Sequence, residues 1–309
     1  MLLDVSDTAS DVNLAFGSSV GGITIGPDNS LYGLGAALIR IDKNRKVRTV
    51  LTEQAHGAAG LLAQSDGTLL FGQGHQVKKV GPNATVSVLA GASGTSRKPG
   101  QPVPSSVSAT AVHFGGDIPI PFGIRPDGSV LIADTDIVWA LKDGRLSRIY
   151  QTSAKSAAGE QLSLFAGSTV DGKGTAYVAT GSQTQQEHVG DIITTDTNGQ
   201  SGKIQLPSTV GGISGNPAVL KLTWLAGDES DGVFARAYDD SGDYVLHIHS
   251  GQAELVARST TVNSTSKCAL AHPIDAKKLP CALPYALAYH SGTLIAGGES
   301  GYLLDIATK

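Results

Sequence analysis

The side chains best suited to chemistry in this sequence are its eight histidines, two cysteines and a few close-set carboxylates. His56, His75, His113, His188 and His272 stand singly in the stretches between apolar runs. Imidazoles gathered from several loops can hold zinc, but these spacings match no metal motif, and ordinary loop histidines account for them equally. His247 and His249 are two apart, so on a strand they share one side and offer either a chelating pair or a solvated edge. Asp134 and Asp136, Glu187, and the run Asp239-Asp240-Ser241-Gly242-Asp243 supply paired carboxylates. Such pairs suit calcium binding or acid–base work, though Asp also caps turns for purely structural reasons, and the run lacks the later ligands of an EF-hand. Tyr238 and Glu299 join this set as candidate ligand contacts. Cys268 and Cys281 have twelve residues between them. A disulfide there would stabilise by about 3 kcal/mol and implies an oxidising compartment. Free thiols, or an incomplete zinc set with His272, are the alternatives. No Gly-x-Ser-x-Gly, P-loop or dinucleotide fingerprint stands in a strand–turn–helix setting.

Those residues need a scaffold, and composition narrows it. Glycine makes up 39 of 309 residues and charged residues only 16%, which suits many tight turns and short strands rather than long amphipathic helices. The net charge of −4, with no basic stripe interleaved with aromatics, points away from nucleic acid. No apolar run approaches the ~20 residues that span a bilayer. The first residues have neither a basic segment nor an apolar core, so no signal peptide is visible. The Gly, Ser and Thr richness with low Lys favours an extracytoplasmic or secreted protein whose leader is not in this chain, with a cytoplasmic place as the alternative.

Six stretches share one pattern: apolar run, tight turn, apolar run, second apolar run, tight turn, fourth run. They cover 21–51, 58–91, 118–151, 162–207, 217–258 and 284–308. The third is the cleanest, with Asp127-Gly128 and Asp143-Gly144 a strand-length or two apart, which is hairpin chemistry. The sixth stops after three runs. Repeats of this length stack their faces on one another, and six units of four strands predict an all-β, six-bladed β-propeller spanning 1–309 as one domain. Closure then requires an N-terminal strand to complete the last blade, or a sheet edge stays open at the seam. Residues 11–16, which alternate apolar and polar, are the predicted clasp. A seven-bladed arrangement would need Trp-Asp endings or a seventh block, and neither is visible.

Residues 121–134, Pro-Phe-Gly-Ile-Arg-Pro-Asp-Gly-Ser-Val-Leu-Ile-Ala-Asp, resemble the core of an NHL repeat, and Val88-Leu89-Ala90-Gly91 with its following Gly/Ser/Pro-rich loop is similar to the linker of bacterial members. The resemblance is weaker in blades four and five, which carry longer insertions. It implies either of two roles. NHL-like propellers serve as extracytoplasmic sensor, adhesion or scaffold domains, and others are enzymes; the peptidylglycine amidating lyases hold a metal on histidines. Neither the lyase residues nor the Glu, Asn and Asp set of the gluconolactonases can be aligned here.

Alternating strand direction puts the turns between first and second, and third and fourth, strands on one face. Nearly all the long segments (91–117, 151–161, 180–190, 207–217 and 259–283) fall on the other. Insertions gathered on one face mark it as the binding face, which is where His56, His75, His113, Asp134, Asp136, His188, Tyr238, Asp239, His272 and Glu299 are expected. The function expected is a ligand- or protein-binding sensor module, taking a protein, peptide, glycan or small molecule there. The alternative is a lyase or hydrolase at the channel mouth, with zinc or calcium as the possible cofactor.

Overall fold

The computed structural model describes residues 2–4, 21–52, 55–116, 118–152, 167–179, 192–259, 273–297 and 302–308. Blade one comprises β2 (Gly22–Ile25), β3 (Leu31–Leu34), β4 (Leu38–Ile41) and β5 (Val47–Leu51); blade two, β6 (Ala59–Ala63), β7 (Leu69–Gln73), β8 (Gln76–Val80) and β9 (Val86–Ala90). Blade three holds β11 (Ile120–Ile124), β12 (Val130–Asp134), β13 (Ile137–Lys142) and β14 (Arg145–Gln151). In blade four are β15 (Ser168–Val170), β16 (Ala176–Ala179), β17 (Ile192–Thr195) and β18 (Ser201–Ile204). Blade five has the longest strands, β19 (Lys221–Gly227), β20 (Gly232–Asp239), β21 (Gly242–His249) and β22 (Gln252–Ser259). Blade six contains β23 (Ala286–His290), β24 (Thr293–Gly297) and β25 (Tyr302–Ala307). The first strands touch in sequence, β2 to β6, β6 to β11, β11 to β15, β15 to β19, β19 to β23 and β23 back to β2. That closed ring makes the molecule a six-bladed β-propeller.

Two details differ from the sequence expectation. The strand completing blade six is β1 (Leu2–Asp4), antiparallel to β25 with Leu2 opposite Leu304 and Asp4 opposite Tyr302; residues 11–16 lie outside the described residues. An outer position needs only a short extended backbone to satisfy the open edge, so alternation was a poor guide to which segment would take it. The 91–117 insertion also contributes structure of its own: β10 (Ser106–Ser108) adds a fifth strand against β14.

Asp-Gly turns earn their place locally. Asp66 accepts the Thr68 amide and Asp127 the Ser129 amide and hydroxyl, while Gly67 and Gly128, both at φ +82°, supply the left-handed residue that follows. At Gly123 the demand is different: an added Cβ would lie 2.2 Å from the Val170 side chain, so glycine lets the innermost strands of blades three and four meet. The core is divided among the six seams, each with its own apolar cluster. Trp139, fully buried, fills the seam between blades two and three together with Phe114 from the insertion.

Candidate functional site

The innermost strands surround a central cavity of about 520 Å³, lined by residues such as Ile23, Leu61, Phe122, Val170 and Trp224. Its long-loop mouth is where the sequence placed most candidates. Asp134 and Asp136 flank the β12–β13 turn and are fully buried. Asp134 Oδ1 accepts the amides of Gly115 (2.5 Å) and Gly116 (3.1 Å), and Oδ2 accepts Trp139 Nε1 (3.2 Å) and Arg97 Nη2 (3.4 Å). Asp136 Oδ1 accepts the same Arg97 nitrogen at 2.5 Å, and its Oδ2 accepts Gly100 N (2.8 Å) and Gln151 Nε2 (3.0 Å). Burial pushes the Asp134 carboxyl upward, opposed by Arg97, Trp139 and the two glycine amides. All four carboxylate oxygens thus take part in fastening the 91–116 insertion to blade three. Sequence inspection missed Arg97 because its partners lie 37 and 39 residues away.

Among the described residues, His56, His75 and His113 lie apart from His247 and His249. His56 is exposed in the linker between blades one and two, where its carbonyl accepts Gln73 Nε2. His75 sits at φ +62° in the β7–β8 turn with Nδ1 3.0 Å from the Gly116 carbonyl oxygen, and His113 is exposed on the insertion. His188, His272, Glu299 and Cys268 lie outside the described residues; Cys281 is buried between Leu279 and Leu283, and no cysteine is free among the described residues. His247 and His249 lie toward the opposite, short-turn face. Their rings meet at 4.6 Å, tilted by 31°, and Phe234 stacks on His247 at 4.4 Å. His247 Nε2 is 2.8 Å from Asp228 Oδ2. Burial raises Asp228, but the bonds from His247, Ser230 and Gly232 outweigh it and hold the carboxyl below its usual range. Among the described residues no group of three or more His, Cys, Asp or Glu side chains could hold a metal ion.

What does gather on the long-loop face is an arginine–tyrosine cluster at the seam of blades five and six. β20 points Phe234, Arg236 and Tyr238 toward blade six, following the period-two alternation of a strand. Arg236, 4% exposed, donates from Nη2 to Asp243 Oδ1 at 3.0 Å. Its Cζ lies 4.4 Å from the ring centre of Tyr285 and 5.5 Å from that of Tyr238, with Lys221 Nζ 5.8 Å from the Tyr238 ring. Burial pushes Asp243 up, with Arg236 working against it. Asp239, by contrast, is a turn cap: its Oδ1 accepts from the Ser241 and Gly242 amides and the Ser241 and Tyr244 hydroxyls. Of the predicted residues, Tyr238 belongs to the cluster; Arg236, Lys221 and Tyr285 were missed, because nothing in their local sequence shows that one seam brings them together.

No protein-family profile and no curated protein sequence matches the chain. Its fold is similar to that of several solved structures. A virginiamycin B lyase from Staphylococcus aureus, solved with quinupristin, superimposes with a TM-score of 0.57 at 10% identity, over 94% of this chain and 80% of that one. A gluconolactonase from Xanthomonas campestris gives 0.57 at 11% identity, over 97% and 93%. A chain of the mitotic checkpoint complex gives 0.55 at 10% identity, over 100% and 93%. At such identities the likeness is one of fold. Among the described residues no helix is long and apolar enough to cross a membrane.

Proposed function

We propose that the protein is a recognition module of the NHL-like kind, binding a ligand over the channel mouth on its long-loop face. One observation carries this. The paired carboxylates on that face, Asp134 and Asp136, are saturated by structural hydrogen bonds, whereas the side chains gathered there at the seam of blades five and six (Tyr285, Tyr238 and Lys221) are contact-forming ones. A rigid propeller holding polar and aromatic groups round a depression is suited to a small molecule, a peptide end or a glycan. A Cys268–Cys281 disulfide and an extracytoplasmic or secreted location complete the proposal, supported by the buried setting of Cys281 and by the rarity of structural disulfides in the cytosol.

The second reading is a lyase or hydrolase, in line with the enzymes among its fold neighbours. It is favoured by Asp243, a buried carboxyl held by Arg236 at that seam and pushed upward by burial, the kind of perturbed group that marks functional sites. Thermal-shift screening of lactones, oligosaccharides, short peptides and organic acids, with the compound recovered and weighed by mass spectrometry, separates the two. Recognition predicts saturable binding of an unchanged compound, weakened by Tyr285→Ala and unaffected by His247→Ala on the far face. Turnover of a screened compound that disappears in Asp243→Asn overturns it in favour of the enzyme.

A further inference from the structure

Three buried arginines hold this propeller together, and they are not used alike. Arg125 gives Nε to the Gly174 carbonyl and Nη2 to the carbonyls of Thr195 and Asp196. Arg97 spends Nη1 on the Lys98 carbonyl and Nη2 on Asp134 and Asp136. Arg236 is as buried as either, yet among the described residues its single acceptor is Asp243 Oδ1 against three for each of the others; its Nε, like that of Arg97, is buried with none. A desolvated guanidinium normally completes its planar fork with oxygens, and leaving donors unmet is costly.

The surroundings say which oxygens would suit it. Tyr285 lies over the guanidinium and is itself 41% exposed, so approach is along the edge of the fork, the direction of bidentate oxyanion recognition. On the innermost strand, the bulge between Leu222 and Leu225 sets Thr223 and Trp224 opposite Arg236, and the Thr223 hydroxyl is also buried without a partner. Lys221, exposed at the start of that strand, adds a second positive charge. Of the nearby acids, Asp243 is pushed up by burial, Asp239 is committed to its turn, and Asp240 is exposed. We propose that Arg236, Thr223, Lys221 and Tyr285 form an oxyanion subsite at the long-loop end of the seam between blades five and six, which takes a carboxylate or phosphate group of a small-molecule ligand. This deepens the recognition reading and rests on it, since it assigns part of that same mouth a chemical class.

Isothermal titration of the intact protein with inorganic phosphate and, separately, with benzoate tests it, with glycerol as the neutral control and ionic strength matched by chloride. One-to-one binding of at least one anion is expected, weakening as salt rises. Phosphate alone or benzoate alone identifies which oxyanion the site prefers. Because removing one partner of a buried pair can unfold the chain, the decisive variant replaces both, Arg236→Met with Asp243→Leu, a swap that buried ion pairs tolerate. It should weaken binding tenfold or more, and Lys221→Gln several-fold. No saturable binding of either anion, or binding unchanged in the double variant, overturns the subsite. If a compound from the screen still binds, loses affinity in Tyr285→Ala and ignores the double variant, the subsite fails while recognition at the mouth stands. If nothing in the screen or the titrations binds that face, both fail.

Discussion

Asp134 shows how far a residue's chemistry can be read without its partners. Its type and its position two before Asp136 were visible in the sequence, and they left a reactive pair and a structural cap side by side. What decides its role is that Arg97 and two backbone amides arrive from an insertion folded back over blade three. Asp134→Ala would leave the buried Arg97 short of a counter-charge and the Gly115 and Gly116 amides unmet. It should cost about 3–5 kcal/mol in urea unfolding and open residues 91–116 to protease; parental stability would show that the insertion is held elsewhere. Asp127 makes a gentler case. Bonds from the Ser129 hydroxyl and amide and from Lys142 hold its carboxyl down at about 2, from an ordinary 3.8. A lowered carboxyl contributes stability above its ordinary value and loses it as pH falls through the folded one. The stability gap between the parent and Asp127→Ala should therefore stay constant from neutrality to about pH 5 and close between 3.8 and 2. With the side chain 55% exposed, that gap is small, under about 1 kcal/mol.

Elements were the most legible level. The Asp66-Gly67 and Asp127-Gly128 turns fix where one strand ends and the next begins through contacts two residues apart, and the described strands follow the six-blade pattern except for β1 and β10, which lie outside the stretches it marked. Joints between elements were not legible. Arg125 sits in the turn between β11 and β12 yet fastens blade three to blade four by three carbonyls 49 to 71 residues on. Arg125→Met keeps the apolar stem, strands those acceptors, and should lower stability by about 2 kcal/mol; an unchanged unfolding midpoint would mean the joint rests on apolar packing alone. The clasp β1 is a second joint. Removing residues 1–4 bares the outer edge of β25, and the truncated chain should melt several degrees lower and scatter light on standing. Equal melting temperatures would show that another segment closes the ring.

At the scale of the whole molecule, the sequence by itself determined that the fold is all-β with six blades of antiparallel strands closed by an N-terminal strand. Those features follow from turn chemistry, period-two alternation and strand direction, all of which act over a few residues. The tertiary structure alone decided what the faces carry. Asp134 and Asp136 became an anchor, His247 and His249 a tilted pair near the short turns, and Arg236 a half-used guanidinium under Tyr285. The first and last of these rest on a contact from an insertion or across a seam, set by how the ring closes and by the β19 bulge that shifts one strand's register. Local patterns hold no record of such contacts, because packing between blades is chosen by the ring as a whole. The chemistry of this propeller is written in its seams.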